Sequence, residues 1–257
     1  MRKGLWQSVM TFGSWTMLSR VMGLVRDIVL GVVFGPSAAT DAFFVAFKIH
    51  NFLRRLFAEG AFQQAFVPVL ADARHAGGDA AVRALFGRVT GCLGLVLLAI
   101  TVLAVLGSPG LVRVFAPGFI DQPEQLALAT EMLRLTFPYL LLIALTAAAA
   151  AVLNTYGEFG PPAFAPVLLN LTLIAAAVWL APRLETGVLA LAVAVPVAGV
   201  LQLLLQLPFV WRRGALTWPW PDWHDPGVRR ILRLMGPTLF STSVQQINLL
   251  LDTILAS

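Results

Sequence analysis

Four stretches of the chain, Val89–Val112, Leu135–Gly157, Phe159–Pro182 and Thr186–Trp211, each run for more than twenty residues without a charged side chain. A bilayer crossing needs about 20 mostly apolar residues at 1.5 Å rise each, so each stretch predicts one transmembrane helix. Three further apolar segments carry charge. Gly4–Pro36 contains Arg20, Arg26 and Asp27, Asp41–Ala71 contains Lys48, Arg54, Arg55 and Glu59, and Leu234–Ser257 contains Asp252. The pattern predicts an all-α polytopic membrane helix bundle with a six-helix N-terminal lobe over 1–211, a cytoplasmic linker over 212–230, and the start of a seventh helix over 231–257.

Basic residues between the spans orient it. With the N-terminus in the cytoplasm, that side collects Arg2, Lys3, Arg74, Arg83, Arg88, Arg212, Arg213, Arg229, Arg230 and Arg233, and the other side only Arg113, Arg134 and Arg183. The excess of Lys and Arg on cytoplasmic loops predicts N-inside insertion. Met1-Arg2-Lys3 runs on into a long apolar helix with no small-residue cleavage site, so the segment reads as the first crossing and not as a signal peptide. In the longest connection, Trp218, Trp220 and Trp223 sit between basic clusters and read as interfacial anchors beside arginines that face anionic lipid heads.

Composition supports the membrane reading: 58% hydrophobic, 12% charged, mean hydropathy +0.82. Soluble domains average about 45–50% apolar and about 25% charged residues. The net charge of +5 is explained by topology, so no nucleic-acid partner is expected. Cys92 is the single cysteine and lies within an apolar run, which excludes an internal disulfide and a CxxC site.

Charge at membrane depth costs about 2.5–3.5 kcal/mol per group on insertion scales, so the first two spans carry the candidate chemistry. Arg20 and Asp27 are seven residues apart and share a face with Gly23 between them, and Arg26 lies about 100° further round. Asp41, Lys48, Arg55 and Glu59 recur at seven, seven and four and stay within about 40°, a charged stripe some 27 Å long. Arg20, Arg26, Lys48, Arg54 and Arg55 outnumber Asp27, Asp41 and Glu59 by five to three. A positive cavity that calls for an anion follows, and guanidinium forks suit a phosphorylated ligand. The plainer alternative is that Arg26 pairs beside Asp27, and Arg55 with Glu59, only to join two helices.

Pro138, Pro161, Pro162, Pro166 and Pro196 are expected to interrupt helices or mark their ends. Asn154, Asn170, Gln202, Gln206, Gln245, Gln246 and Asn248 read as interhelical hydrogen-bond partners. His50, His75 and His224 are scattered, and only His50 sits among charges, where it could titrate near neutrality. No HExxH, GxSxG or Walker motif occurs, so no enzyme, cofactor or metal site is expected. Asp121/Glu124 and Asp222/Asp225 are the only near pairs of loop carboxylates that a metal-dependent enzyme acting on polyprenyl phosphates could use.

Ser19-Arg20-Val21-Met22-Gly23-Leu24-Val25-Arg26-Asp27, Ala39–Lys48, Asn51–Phe62 and Ala65–Pro68 together resemble the N-terminal signature of the MurJ (MviN) lipid II flippases, within the multidrug/oligosaccharidyl-lipid/polysaccharide exporter superfamily. The likeness continues through Ala116–Phe119, Thr136–Tyr139, Leu153–Thr155 and Pro162–Pro166 to Met235–Pro237, essentially the whole chain. It implies transport of undecaprenyl-pyrophosphate-linked peptidoglycan precursor, lipid II, from the cytoplasmic to the periplasmic leaflet of the bacterial inner membrane by alternating access. It also implies substrate-binding roles for Arg20, Arg26 and Arg54 with an acidic partner at Asp41 near the outer mouth. Arg55, favoured by periodicity, remains a lesser candidate, and Gly23, Asp27, Lys48 and Glu59 take structural or gating roles. His50 stands where the family usually has proline. Family members have about fourteen helices in two lobes plus a C-terminal pair, with the cavity between lobes. The chain is therefore expected to be part of a larger flippase whose partners are lipid II, membrane lipids and the second lobe or cell-wall synthesis proteins. The alternatives are the polyprenyl-phosphate enzyme and a non-transporting membrane partner.

Overall fold

The computed structural model describes residues 2–54 and 61–238. All regular structure in them is helical: α1 (Arg2–Phe34), α2 (Ala38–Arg54), α3 (Ala61–Leu106), α4 (Ser108–Phe115), α5 (Pro123–Thr136), α6 (Tyr139–Thr155), α7 (Gly160–Ala175), α8 (Leu189–Arg212) and α9 over 226–238. The all-α membrane bundle read from hydropathy is what the chain forms.

Local chemistry sets the ends. Gly35, at φ +60°, stops α1 in a conformation that side chains disfavour. Ser37 Oγ then accepts from the Thr40 N–H at 3.2 Å, and Asp41 sits in the first turn of α2 where a carboxylate favours the positive helix end. Gly78, at φ +62° and ψ −153°, splits α3 into a short arm over 61–77 and a long arm over 79–106. Pro161 and Pro162 open α7, where a missing N–H costs nothing. Pro166 and Pro196 lie inside α7 and α8 without ending them, contrary to the expectation for those two. In membranes, neighbouring groups re-satisfy the freed carbonyls.

Two spans begin earlier than the charge-free runs. The long arm of α3 starts just past Gly78 and carries Arg83 and Arg88. The fourth span covers Pro123–Thr155, with α5 and α6 joined across Phe137–Pro138, so Glu124, Glu131 and Arg134 are helical. Arg134 Nε donates to Ser108 Oγ at 2.9 Å, which lets a charge stay at this depth.

α6 is the centre. Its run Ala147–Ala151 is buried, and these small side chains let α3 and α8 approach closely. A Cβ at Gly199 of α8 would come within 2.8 Å of the Tyr139 ring. One apolar core joins α2, α4, α5, α7 and α8 around Phe43, Met132, Phe137 and Tyr139. A second joins both arms of α3 to the C-terminal halves of α6 and α8 and to α9. α1 leans on α7, and α2 on α5. The two charged helices are thus held by different scaffold helices.

Candidate functional site: the charged faces of α1 and α2

On α1, Arg20 and Asp27 are exposed with Leu24 between them, and Ser19, Gly23 and Arg26 turn toward α7. The 3.6-residue period places them so, seven residues being almost two turns and six falling about 120° away. Arg20 has no ion pair among the described residues.

Arg26 is different. Its Nη2 and Nε reach Asp27 Oδ1 at 2.6 and 2.9 Å, and its Nη1 donates to Asn170 Oδ1 of α7 at 3.0 Å. Asn170 Nδ2 in turn donates to the Ser19 carbonyl at 3.2 Å, so one buried amide ties two turns of α1 to α7. Asn170 is the interhelical partner expected of it. A Cβ at Gly23 would meet Asn170 Nδ2 at 3.8 Å, an ordinary contact, so space does not demand glycine there.

On α2, Asp41, Phe44 and Lys48 form an exposed stripe, and the opposite side, Ala42, Phe43, Ala46 and Ile49, is buried against the scaffold. Asp41 stands at the end of the bundle that also holds the Gly35 turn. Lys48 makes no ion pair among the described residues. Arg54, half-buried in the last turn, donates from Nε to Asn51 Oδ1 at 3.1 Å. Arg55 and Glu59 lie outside the described residues, as do Gln245, Gln246, Asn248 and Asp252.

His50 lies off the Asp41–Lys48 stripe. Its ring is buried on the scaffold side, edge-on to Phe47 at 4.8 Å and to Tyr139 at 5.4 Å, and neither nitrogen has a hydrogen-bond partner among the described residues. Period explains this: His50 is two residues past Lys48, a rotation of about 200°.

Sequence reasoning missed a polar cluster at the end of the bundle opposite Asp41. Tyr156 Oη donates to Asp79 Oδ1 at 2.7 Å, and the Arg74 guanidinium covers the Tyr156 ring at 4.2 Å while donating to the Thr155 carbonyl. Burial and the Asp79 carboxylate push the Tyr156 phenol up to about 12. Arg213 Nε donates to Glu158 Oε1 at 2.7 Å. Beside this cluster, the connection over 213–225 lies on α3. Trp220 N–H donates to the Gly87 carbonyl at 3.0 Å, Arg88 pairs with both Asp222 and Asp225, and Arg230 pairs with Asp72 at 2.8 Å. Asp222 and Asp225 therefore neutralise an arginine, which corrects their reading as a candidate metal pair. Among the described residues no three His, Cys, Asp or Glu side chains come together as a metal site. The signal for this strap was present in sequence as Gly87, Gly91 and the tryptophan-proline alternation, but only contacts across about 130 residues reveal it.

Comparison with known proteins agrees with the motifs. The family model described as lipid II flippase MurJ matches residues 30–257. The protein named "Probable lipid II flippase MurJ" of Haemophilus influenzae is 48% identical over 249 residues, 94% of this chain and 49% of that protein. "Lipid II flippase MurJ" of Burkholderia cenocepacia is 44% identical over 98% of this chain and 50% of its own length. The chain thus spans about half the length of the curated relatives it matches. A solved structure of lipid II flippase MurJ in an inward closed conformation superposes with a TM-score of 0.75 at 27% identity, over 94% of this chain and 49% of that one. An outward-facing multidrug resistance MATE transporter of the MOP superfamily shares the fold at a TM-score of 0.68 and 15% identity, over 93% of this chain and 52% of its own. The chain belongs to the lipid II flippase MurJ family of membrane transporters.

Proposed function

We propose that the chain supplies the first lobe of a flippase that carries lipid II from the cytoplasmic to the periplasmic leaflet by alternating access, and that it catalyses no covalent reaction. The observation that carries this reading is the cationic excess on α1 and α2. Among the described residues Arg20 and Lys48 are exposed without a carboxylate partner, and Arg26 and Arg54 stand on the same two helices. Uncompensated cations at membrane depth require an anion, and the pyrophosphate of lipid II supplies one that guanidinium forks hold well. Asp41 and Lys48 share the exposed face of α2, with Asp41 near the outer mouth, and the seven, seven and four spacing in the sequence extends that stripe to Arg55 and Glu59.

The distribution of basic residues over the helix ends supports one orientation. The Arg74, Arg213 and Arg230 clusters share one end, which also receives Arg83, Arg88 and Arg212. That end is the cytoplasmic one on the distribution of basic residues, in a bacterial inner membrane, with the N-terminus on the same side. Partners would be lipid II, the surrounding lipids and a second lobe, with cell-wall synthesis proteins as further associates.

The test is replacement in a complete flippase carrying this lobe as the sole copy in the cell. Arg26→Ala and Arg54→Ala should insert into the membrane yet fail to expose lipid II on the outer leaflet, and lysine at either place should restore only part, because the fork is lost. Growth supported by either alanine variant at normal rate sinks the assignment of the site.

A further inference from the structure

We infer that the groove between the long arm of α3 and α9 binds the acyl chain of an anionic phospholipid of the cytoplasmic leaflet, with Arg229 and Arg233 holding its phosphate. The groove encloses about 220 Å³ between Val89, Cys92 and Val96 of α3 and Ile231, Leu232 and Met235 of α9, with Trp223 at its head. It follows α3 from Val89 to Leu97, about 12 Å at 1.5 Å per residue, in the direction an acyl chain takes from a headgroup into the bilayer. Leu232, on its wall, is 47% exposed, so the groove opens sideways to lipid.

The charges at its rim choose the occupant. Arg229 and Arg233 are four residues apart on α9 and fall beside Leu232 and Gly236 around the helix, flanking one side of the groove. Both are exposed, and neither forms an ion pair among the described residues, whereas the neighbouring Arg230 turns away to Asp72 and Arg88 is engaged by Asp222 and Asp225. Arg229 Nε donates to the Trp223 carbonyl at 3.3 Å, which keeps its guanidinium at the groove head. An apolar slot whose interfacial end carries two cations with no ion pair among the described residues matches a lipid with a negative head and an apolar tail. A zwitterionic lipid offers the tail but places its own cation among the arginines. Trp218 and Trp220, 84% and 71% exposed on the adjoining strap, mark the same level as the membrane interface. This site is separate from the charged faces of α1 and α2; it rests on the orientation proposed above and not on the transport reading.

Native mass spectrometry of the 257-residue chain in a neutral detergent tests it, with phosphatidylglycerol and phosphatidylcholine of identical acyl chains added in competition. The wild type should retain phosphatidylglycerol roughly thirtyfold over phosphatidylcholine, on the order expected for two juxtamembrane arginines. Arg229→Gln with Arg233→Gln should bring the two lipids to parity, and both residues are exposed, so folding is not at issue. Leu232→Trp, which fills the half-open wall, should lower retention of both. Equal retention by the wild type, an unchanged preference in the glutamine variant, or full retention in Leu232→Trp overturns the site. So does displacement of the lipid by soluble glycerol phosphate at equal concentration, which would leave the arginines as a phosphate site without an acyl groove.

Discussion

The strap over 213–225 makes a quantitative prediction through two glycines of the same helix. A Cβ at Gly91 would lie 2.5 Å from the Pro221 nitrogen and 2.8 Å from the Trp220 nitrogen, both backbone atoms that cannot rotate away. A Cβ at Gly94, three residues on, meets nothing within 4 Å. Alanine at either position gains the same helix propensity, about 0.8–1.0 kcal/mol, so the difference between Gly91→Ala and Gly94→Ala isolates the collision. Overpacking of this kind costs about 1–3 kcal/mol. Lifting the strap also loses the Trp220 N–H to Gly87 hydrogen bond, worth about 1 kcal/mol, and loosens the Arg88 pair with Asp225. We expect Gly91→Ala to favour strap opening by about 2 kcal/mol relative to Gly94→Ala, roughly a thirtyfold larger open population. The readout is cleavage by trypsin at the arginines that flank the strap, under conditions where opening and closing are fast and cleavage tracks that population. Equal cleavage rates in the two variants would refute the docking of the strap on α3.

Other outcomes follow from the polar contacts. His50→Phe keeps a ring between Phe47 and Tyr139 and removes two buried nitrogens that have no hydrogen-bond partner among the described residues, each carrying a penalty of about 1–3 kcal/mol, so thermal unfolding in detergent should occur at or above the wild-type temperature; a clear fall would mean a polar partner holds the imidazole. Tyr156 has its phenol raised in the folded chain, so its contribution to stability is complete below pH about 10 and is lost as pH rises toward about 12. The absorbance titration of wild type minus Tyr156→Phe should have its midpoint near 12, and Asp79→Asn should move it down; an unmoved midpoint would remove Asp79 from the cause. Asp27→Asn should tighten binding of a pyrophosphate-bearing lipid about tenfold by removing the anion that competes for Arg26, read as a shift in Kd.

Much of the fold was legible because charge-free runs of twenty residues have few other uses. What hydropathy could not place were span starts: Arg83, Arg88, Glu131 and Arg134 lie on helices, yet they end an apolar window. Each is tolerated through a partner distant in sequence, such as Ser108 for Arg134 and Asp225 for Arg88, or through a position near the helix end. Helical period put Arg20 and Asp27 on one face of α1, set Arg26 apart and put Asp41 and Lys48 on one face of α2; in the fold both faces are exposed. It also could have excluded His50 from the charged stripe, since 200° of rotation carries a side chain across the helix. The strap and its ion pairs were illegible, because a salt bridge across 137 residues leaves no periodic trace.

The pairing of Arg26 bears on how a positive site can exist before its ligand arrives. Three free guanidinium groups at membrane depth would each cost several kcal/mol, and the lobe would not hold them in place. Asp27 and Asn170 answer both needs, since the carboxylate lowers the field and the amide fixes the fork against α7. Asp27 is the more exposed of the ion pair, 62% against 22% for the arginine, so its oxygen can leave toward water while Asn170 keeps its hold. On the proposed function, a phosphate that displaces Asp27 exchanges one charge-assisted contact of Arg26 for another, so a second contact, with Arg20 or Lys48, would decide the balance. On the proposed function, binding is an exchange at Arg26 and a net gain at Arg20 and Lys48, which have no ion pair among the described residues. Arg20→Ala should then weaken binding more than Asn170→Ala does, although Asn170 is the residue buried against the scaffold.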